Sequence, residues 1–409
     1  MNIGNTIKRS SSPWFTILLG AASLLIVAAV VSSPESALQA SLQAMKLWWN
    51  IVFPALLPFL VLVEIINAYG WSHGVGVLLE PIMRRIFKLP GKGGSVLITG
   101  MLAGFPAGAQ VSSEMVKQGD LTPTEAGRLA AMSHFCNPMT ILIVIGTGLL
   151  HQPATGYFLL AIHWISGILA AWTYSLRRPN AKPEQPGSEN LSRSRTTKEQ
   201  NKKESLLLQA IKATTEARTR DGRSFGKLLG ESVTRSVQTL MMTGGYIIIF
   251  AVIVTLLSQH LLSGVPSFLA AGLLEFHLGA LAISEGAFPS STIQLAILSG
   301  MLAWSGISAH LQSLSGLKSS ISTKWSMFAL KRLVHTVYAC CLTLIFWKPV
   351  NDITTSVLPA FGAVPQETLR NEQHFNLWSG FHTLIQWQIV TCIVLIGIFT
   401  MISRIIDRR

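Results

Sequence analysis

GMLAGFPAGA, residues 100–109, decides how this chain is read. The sequence before it is apolar from Ser95 to Met101, and it stays more weakly apolar up to Val116. Three glycines and a proline therefore stand where the centre of a membrane span would be. Breakers at mid-bilayer free backbone N–H and C=O groups where no water reaches them. That is tolerated only where the segment is buried in protein or lines a polar cavity. The stretch reads as the turn of a re-entrant hairpin over 93–117.

The bilayer context comes from composition. The chain has 409 residues, of which 49% are hydrophobic and 12% charged. Soluble domains carry roughly 25% charged residues. Several apolar runs reach the roughly 18–20 residues needed to cross a bilayer, and none alternates as a barrel strand does. The fold class is all-α and polytopic. About eight full spans are expected, at 14–31, 48–69, 129–150, 155–175, 237–258, 292–312, 333–347 and 387–406, with a second Gly- and Pro-broken segment at 264–290.

The net charge of +13 does not point to nucleic acid, because the basic residues lie mostly between apolar runs without interleaved aromatics. This is the positive-inside pattern. With the N-terminus inside, the basic clusters Arg84/Arg85/Lys88/Lys92, Arg177–Arg223, Lys318/Lys324/Lys331/Arg332 and Arg404/Arg408/Arg409 all fall inside. The external loop from Lys348 to Gln386 holds two basic and three acidic residues. The pattern survives only if both broken segments enter and leave on the same side, the first from the cytoplasm and the second from the opposite face. Both termini are then cytoplasmic. Lys8 and Arg9 precede a run that is long for a signal peptide, so it reads as a retained span. Cys136, Cys340, Cys341 and Cys392 show no metal spacing.

The expected organisation is an N-terminal span and outside loop (1–45), a first repeat (46–176), a basic cytosolic linker (177–236), a second repeat (237–350), an external loop (351–386) and a last span with a basic tail (387–409). Residues 205–236 could lie as an amphipathic helix on the inner membrane surface. Trp48-Trp49 reads as an interfacial belt.

The halves match. MLAGFPAGAQVSSE at 101–114 aligns with GLLEFHLGALAISE at 272–285, placing Phe105, Gly108, Ala109, Ser113 and Glu114 on Phe276, Gly279, Ala280, Ser284 and Glu285. Because the halves start on opposite sides, the repeat is inverted, an arrangement that puts a transport site near the midplane at interrupted helices. A further break follows each hairpin: Ser133–Pro138, where Pro138 disfavours helix at Asn137, and Trp304–His310. Freed N–H groups attract anions and freed carbonyls attract cations or donors.

Each candidate side chain has two readings. Glu275 is a membrane carboxylate, functional by default, or a solvated group at a wet tip. His277 and His310 bind carboxylate or shuttle protons, or pack with one hydrogen bond. Asn137 is a ligand or a cap on the Pro138 break. Ser112, Ser305 and Ser308 bind substrate or satisfy helix backbone. Glu64 acts in the membrane or snorkels to the interface, while Glu114 and Glu285 lie at hairpin ends. No hydrolase, metalloprotease or phosphate-loop motif is present, so no enzyme, metal or cofactor is expected.

As a set, FPALLPF (53–59), LLEPIMR (78–84), GMLAGFPAGA, the Asn137-Pro138 break, GLLEFHLG (272–279) and GISAHLQ (306–312) resemble the YlbJ/SpoVV family of sporulation integral membrane proteins. That family falls within the wider group bearing nucleoside-recognition Gate domains. The resemblance implies a fold similar to concentrative nucleoside transporters. It also implies passage of dipicolinic acid across the outer forespore membrane toward the forespore. Carried over by position, it singles out Phe105, Pro106, Gly108, Asn137, Pro138, Glu275, Ser308 and His310. Departures are His277, where a smaller polar residue such as Thr is expected, and Cys136, where Ser is. The expected partners are a small organic anion and the lipid bilayer. A coupling ion (proton or sodium) and self-association stay open. A nucleoside carrier of the same fold and a membrane scaffold are the competing readings.

Overall fold

A computed structural model describes residues 13–176, 205–317, 321 and 323–357. The expected span 387–406, residues 177–204 of the linker, and the external loop and tail beyond Val357 lie outside the described residues.

The described chain is helical throughout its regular elements. The first half runs α1 (Pro13–Ser32), α2 (Pro34–Ala68), α3 (Trp71–Leu78), α4 (Glu80–Arg85), α5 (Gly93–Ala103), α6 (Ala107–Lys117), α7 (Pro123–Met132), the π-wound α8 (Thr140–Leu149) and α9 (Pro153–Leu176). The second half runs α10 (Leu206–Asp221), α11 (Phe225–His260), α12 (Ser267–Leu274), α13 (Phe276–Glu285), α14 (Ser291–Trp304), α15 (Gly306–Ser315) and α16 (Trp325–Val357). Among these elements each half contains, in this order, a long helix, a pair of short helices, an interrupted helix and a long helix.

Five described helical stretches are long and apolar enough to cross a membrane: Pro34–Ala68, Pro153–Leu176, Phe225–His260, Ser291–Ser315 and Trp325–Asp352. Several expected bounds shift. The span at 48–69 begins at Pro34, because Pro34 supplies a fitting first-turn residue and Glu35 a first-turn acid, so part of the expected outside loop is helix. The span at 129–150 is not continuous: α7 ends at Met132, residues 134–137 are non-helical and α8 follows. The surface helix at 205–236 is divided where Gly222 takes a left-handed φ of 61°. Its first part packs on α3, where added Cβ atoms on Gly70 and Gly74 would collide with Thr214. Trp48 is no interfacial belt residue. It is 7% exposed, packs on Gly244 and donates from Nε1 to the Leu240 carbonyl at 3.0 Å, while Trp49 stays exposed.

Long helices of the same rank pair across the halves. Gln259 of α11 reaches Ser36 of α2, and Leu240 of α11 meets Trp48, so α2 and α11 run antiparallel. Phe158 meets Trp347 while Tyr174 donates to the Leu330 carbonyl, so α9 and α16 do the same. The two hairpins and two broken helices lie between these pairs, inside one continuous apolar core.

Candidate functional site

The helices are interrupted at 104–106, 133–137, 275 and 305, and the turns of the two helical pairs lie against the other two interruptions. The first hairpin turns at Gly104-Phe105-Pro106, with Gly104 at φ 78° and a cis peptide before Pro106. A Cβ on Gly104 would stand 2.9 Å from the Asn137 nitrogen, and Phe105 donates its N–H to the Phe135 carbonyl at 3.0 Å. The tip is thus laid directly on the first break. The second hairpin turns at Glu275, whose extended backbone (φ −145°, ψ 117°) ends α12 and caps α13. It lies on the second break, where Ser305 and Gly306 take φ values of 72° and 77°. A Cβ on Gly306 would stand 2.9 Å from the Leu274 carbonyl oxygen.

The tips also meet each other. Phe105 stacks on His134 at 4.7 Å and meets Phe276 edge-on at 5.6 Å, so the two phenylalanines aligned in the repeat are neighbours. His134 of the first break lies 5.8 Å from His310 of the second. Both rings face Phe328 of α16.

Glu275 is 2% exposed. Its Oε2 accepts the Leu278 N–H at 3.0 Å and its Oε1 lies 2.9 Å from His277 Nδ1. A helix N-terminus and an imidazole hold the carboxylate, so it is no freely solvated group. With Glu275 ionised, His277 Nδ1 carries a hydrogen and Nε2 is left as an acceptor. His310 Nε2 donates to the Trp304 carbonyl at 2.8 Å, since a carbonyl only accepts. Its Nδ1 is then an acceptor too. Neither of these ring atoms has a partner, nor do His134 Nε2 and Ser308 Oγ, although all are buried. Unpaired buried polar atoms are costly, and these four belong to the two breaks and the second hairpin.

The other expected residues serve the backbone. Asn137 Oδ1 accepts the Thr140 N–H at 2.8 Å, capping the helix that Pro138 begins. Ser112 donates to the Gly108 carbonyl, and Ser305 to the Leu302 carbonyl. Gly108 packs so closely on Ser133 that no side chain fits, and Pro106 is buried at the start of α6. Glu64 is half-buried in α2, remote in sequence from these contacts. Glu114 pairs with Lys117, and Glu285 is exposed at a hairpin end.

Sequence reasoning missed Arg332. Counted with a basic loop, it is in fact a residue of α16, 2% exposed. Its Nη1 donates to the His134 carbonyl at 2.5 Å and its Nη2 to the Ala131 carbonyl at 2.7 Å. These are carbonyls that the first break leaves without helix partners, so Arg332 holds the break open. His335, one turn on, lies 3.2 Å from Arg332 and donates to the His163 carbonyl. The Arg332-x-x-His335 spacing inside an apolar run was the available signal.

Comparison with known proteins agrees with this architecture. A family profile described as Gate, nucleoside recognition, matches residues 50–149, which include the first hairpin and its break. No solved structure matches. The chain is 35% identical over 354 residues to the sporulation integral membrane protein YlbJ of Bacillus subtilis (strain 168), covering 82% of this chain and 83% of that protein. The chain belongs to the YlbJ family of sporulation integral membrane proteins.

Proposed function

We propose that the protein carries a small organic anion, dipicolinic acid in a sporulating cell, across the membrane by alternating access around the two hairpin tips. The observation that carries this reading is the junction of Phe105, His134, Phe276 and His310, where His134 Nε2 and His310 Nδ1 are buried without partners. The antiparallel pairing of equal-rank helices supports an inverted repeat, and with it a site near the midplane. In this reading the termini are cytoplasmic and the membrane is the outer forespore membrane.

The tautomers add a mechanism. Neutral His277 and His310 offer lone pairs, which repel an anion. Each becomes a donor toward the junction only by taking a proton. An anion therefore binds together with protons, and the Glu275–His277 pair is the place where one is stored and released. Movement of Phe105 and Phe276 apart would open the junction.

The test is uptake of labelled dipicolinate into proteoliposomes under imposed pH gradients. Uptake should be faster with the donor side acidic, and Glu275→Gln should weaken that dependence, the remainder resting on His310. A gradient dependence in Glu275→Gln equal to that of the wild type removes the role of the Glu275–His277 pair. Absence of uptake in wild-type vesicles removes the substrate. A nucleoside is the second reading, because the same lone pairs suit a ligand rich in N–H and O–H donors. Thermal stabilisation by nucleosides and not by dipicolinate would select it. Flux that survives deletion of 177–204 would remove the scaffold reading.

A further inference from the structure

We propose that His134 is the hydrogen-bond donor that recognises the anion at the junction, and that the Ser313 hydroxyl holds it in the donor form. The recognition role rests on the transport reading, whereas the tautomer rests on hydrogen bonding alone.

His134 is 1% exposed, and its carbonyl accepts from Arg332 Nη1 at 2.5 Å. Its Nδ1 lies 2.8 Å from the hydroxyl of Ser313 in α15, which is 1% exposed as well. Two assignments fit that distance. In the first, the imidazole donates from Nδ1. The Ser313 O–H then has no acceptor, because among the described residues its Oγ has no second partner. A buried donor left in that state loses its hydration and gains nothing in return. In the second, Ser313 donates to Nδ1 and the bond satisfies both groups. Neutral His134 then carries its hydrogen on Nε2.

That nitrogen is buried without a partner. Its ring is enclosed by the rings of Phe105 at 4.7 Å, Phe328 at 5.1 Å and His310 at 5.8 Å. His310 has the opposite character: its Nε2–H already donates to the Trp304 carbonyl, which leaves a lone pair on Nδ1. The junction therefore sets one N–H beside one lone pair. An acid that arrives with a single proton complements both. Its carboxylate oxygen accepts from His134 Nε2–H, and the accompanying proton lies between the ligand and His310 Nδ1. A fully ionised ligand would meet the His310 lone pair, and a hydrocarbon would leave the His134 N–H unpaired. His310 and Ser313 stand one turn apart on α15, so one helix of the second half supplies the acceptor and sets the donor of the first.

Two measurements on the full-length protein test this. The first needs no substrate. It is the 15N spectrum of histidine-labelled protein in detergent at about pH 8, above the ordinary imidazole pKa, with the His134 signals identified by their loss in His134→Gln. The wild type should show hydrogen on Nε2 of His134. Ser313→Ala should shift the His134 Nδ1 resonance, and Ser313→Thr, which keeps a hydroxyl, should restore it. Hydrogen on Nδ1 in the wild type overturns the proposal, and an Nδ1 resonance that Ser313→Ala leaves in place overturns the part given to Ser313. The second measurement is dipicolinate uptake into proteoliposomes. His134→Phe keeps a ring and removes the N–H. It should raise KM about 10-fold to 100-fold, the usual effect of losing a hydrogen bond to a charged group, with kcat changed less. An unchanged KM, or a loss confined to kcat, overturns the recognition role. Should His134→Phe fail to fold, the wild-type spectrum with dipicolinate added takes its place: the His134 Nε2 resonance should move, and an unmoved resonance overturns the role. Absence of uptake in the wild type overturns the transport reading and the recognition role with it, while the spectrum still decides the tautomer.

Discussion

Replacing Gly306 by alanine tests the contact on which the site is built. Gly306 holds φ at 77°, a conformation that costs an L-residue about 1–2 kcal/mol. The new Cβ would stand 2.9 Å from the Leu274 carbonyl oxygen and 3.0 Å from both the Glu275 Cα and the Phe276 nitrogen. All three are backbone atoms of the second hairpin's turn, so no side chain can swing aside. Overpacking of this kind costs about 1–3 kcal/mol. The two terms sum to about 2–5 kcal/mol. Gly245 provides the control: it lies within α11, and a Cβ there meets nothing within 4 Å. Gly245→Ala should be neutral or stabilising by up to about 1 kcal/mol. The assay is the thermal midpoint of both variants in one detergent, with dipicolinate uptake measured in parallel. Gly306→Ala should melt well below wild type and lose uptake, while Gly245→Ala does neither. Equal midpoints for the two variants would refute the claim that the Glu275 turn is seated on the second break.

Three further outcomes follow from local geometry. Asn137→Ala removes the cap on the Thr140 N–H and should cost about 0.5–2 kcal/mol, read as a lower thermal midpoint. Asn137→Asp keeps the acceptor and should recover most of that loss. Gly74→Leu should displace α10 from α3, because Thr214 occupies the space its side chain needs, and limited proteolysis should then cut within 206–221 faster than in wild type. At the elbow after α10, hydrogen bonds from Arg223 hold the Asp221 carboxyl below its ordinary value. A lowered carboxyl pKa stabilises above the unfolded value, and that contribution is lost as pH falls through the folded value. Amide protection across 218–231, taken relative to the intrinsic exchange rate at each pH, should therefore fall below about pH 4 and stay unchanged between pH 6 and 8.

Much of the architecture was legible because the bilayer leaves a chain few choices. Unpaired backbone cannot face lipid, so GFPAGA and the Asn137-Pro138 step each marked a break, and both breaks form. Phe105 and Phe276, paired in the alignment of the two halves, lie edge-on to each other. Bounds were less legible. Pro34–Leu47 mixes polar and apolar residues, and its helix shows only through burial of Ala37, Ala40, Ala44 and Leu47 against neighbours. The basic count misplaced Arg332, because a positive charge beside an apolar run is the same string of letters whether it faces water or the core.

By itself, then, the sequence determined a helical membrane protein with two broken segments, because hydropathy, glycine and proline act locally. Only the tertiary structure decided what those breaks do. It seated Gly104 on Asn137 and Gly306 on Glu275, turned Asn137 into a cap, and left His134, His277, His310 and Ser308 with buried unpaired atoms. Whether a buried polar atom finds a partner depends on chain segments more than a hundred residues away, and no local pattern carries that information.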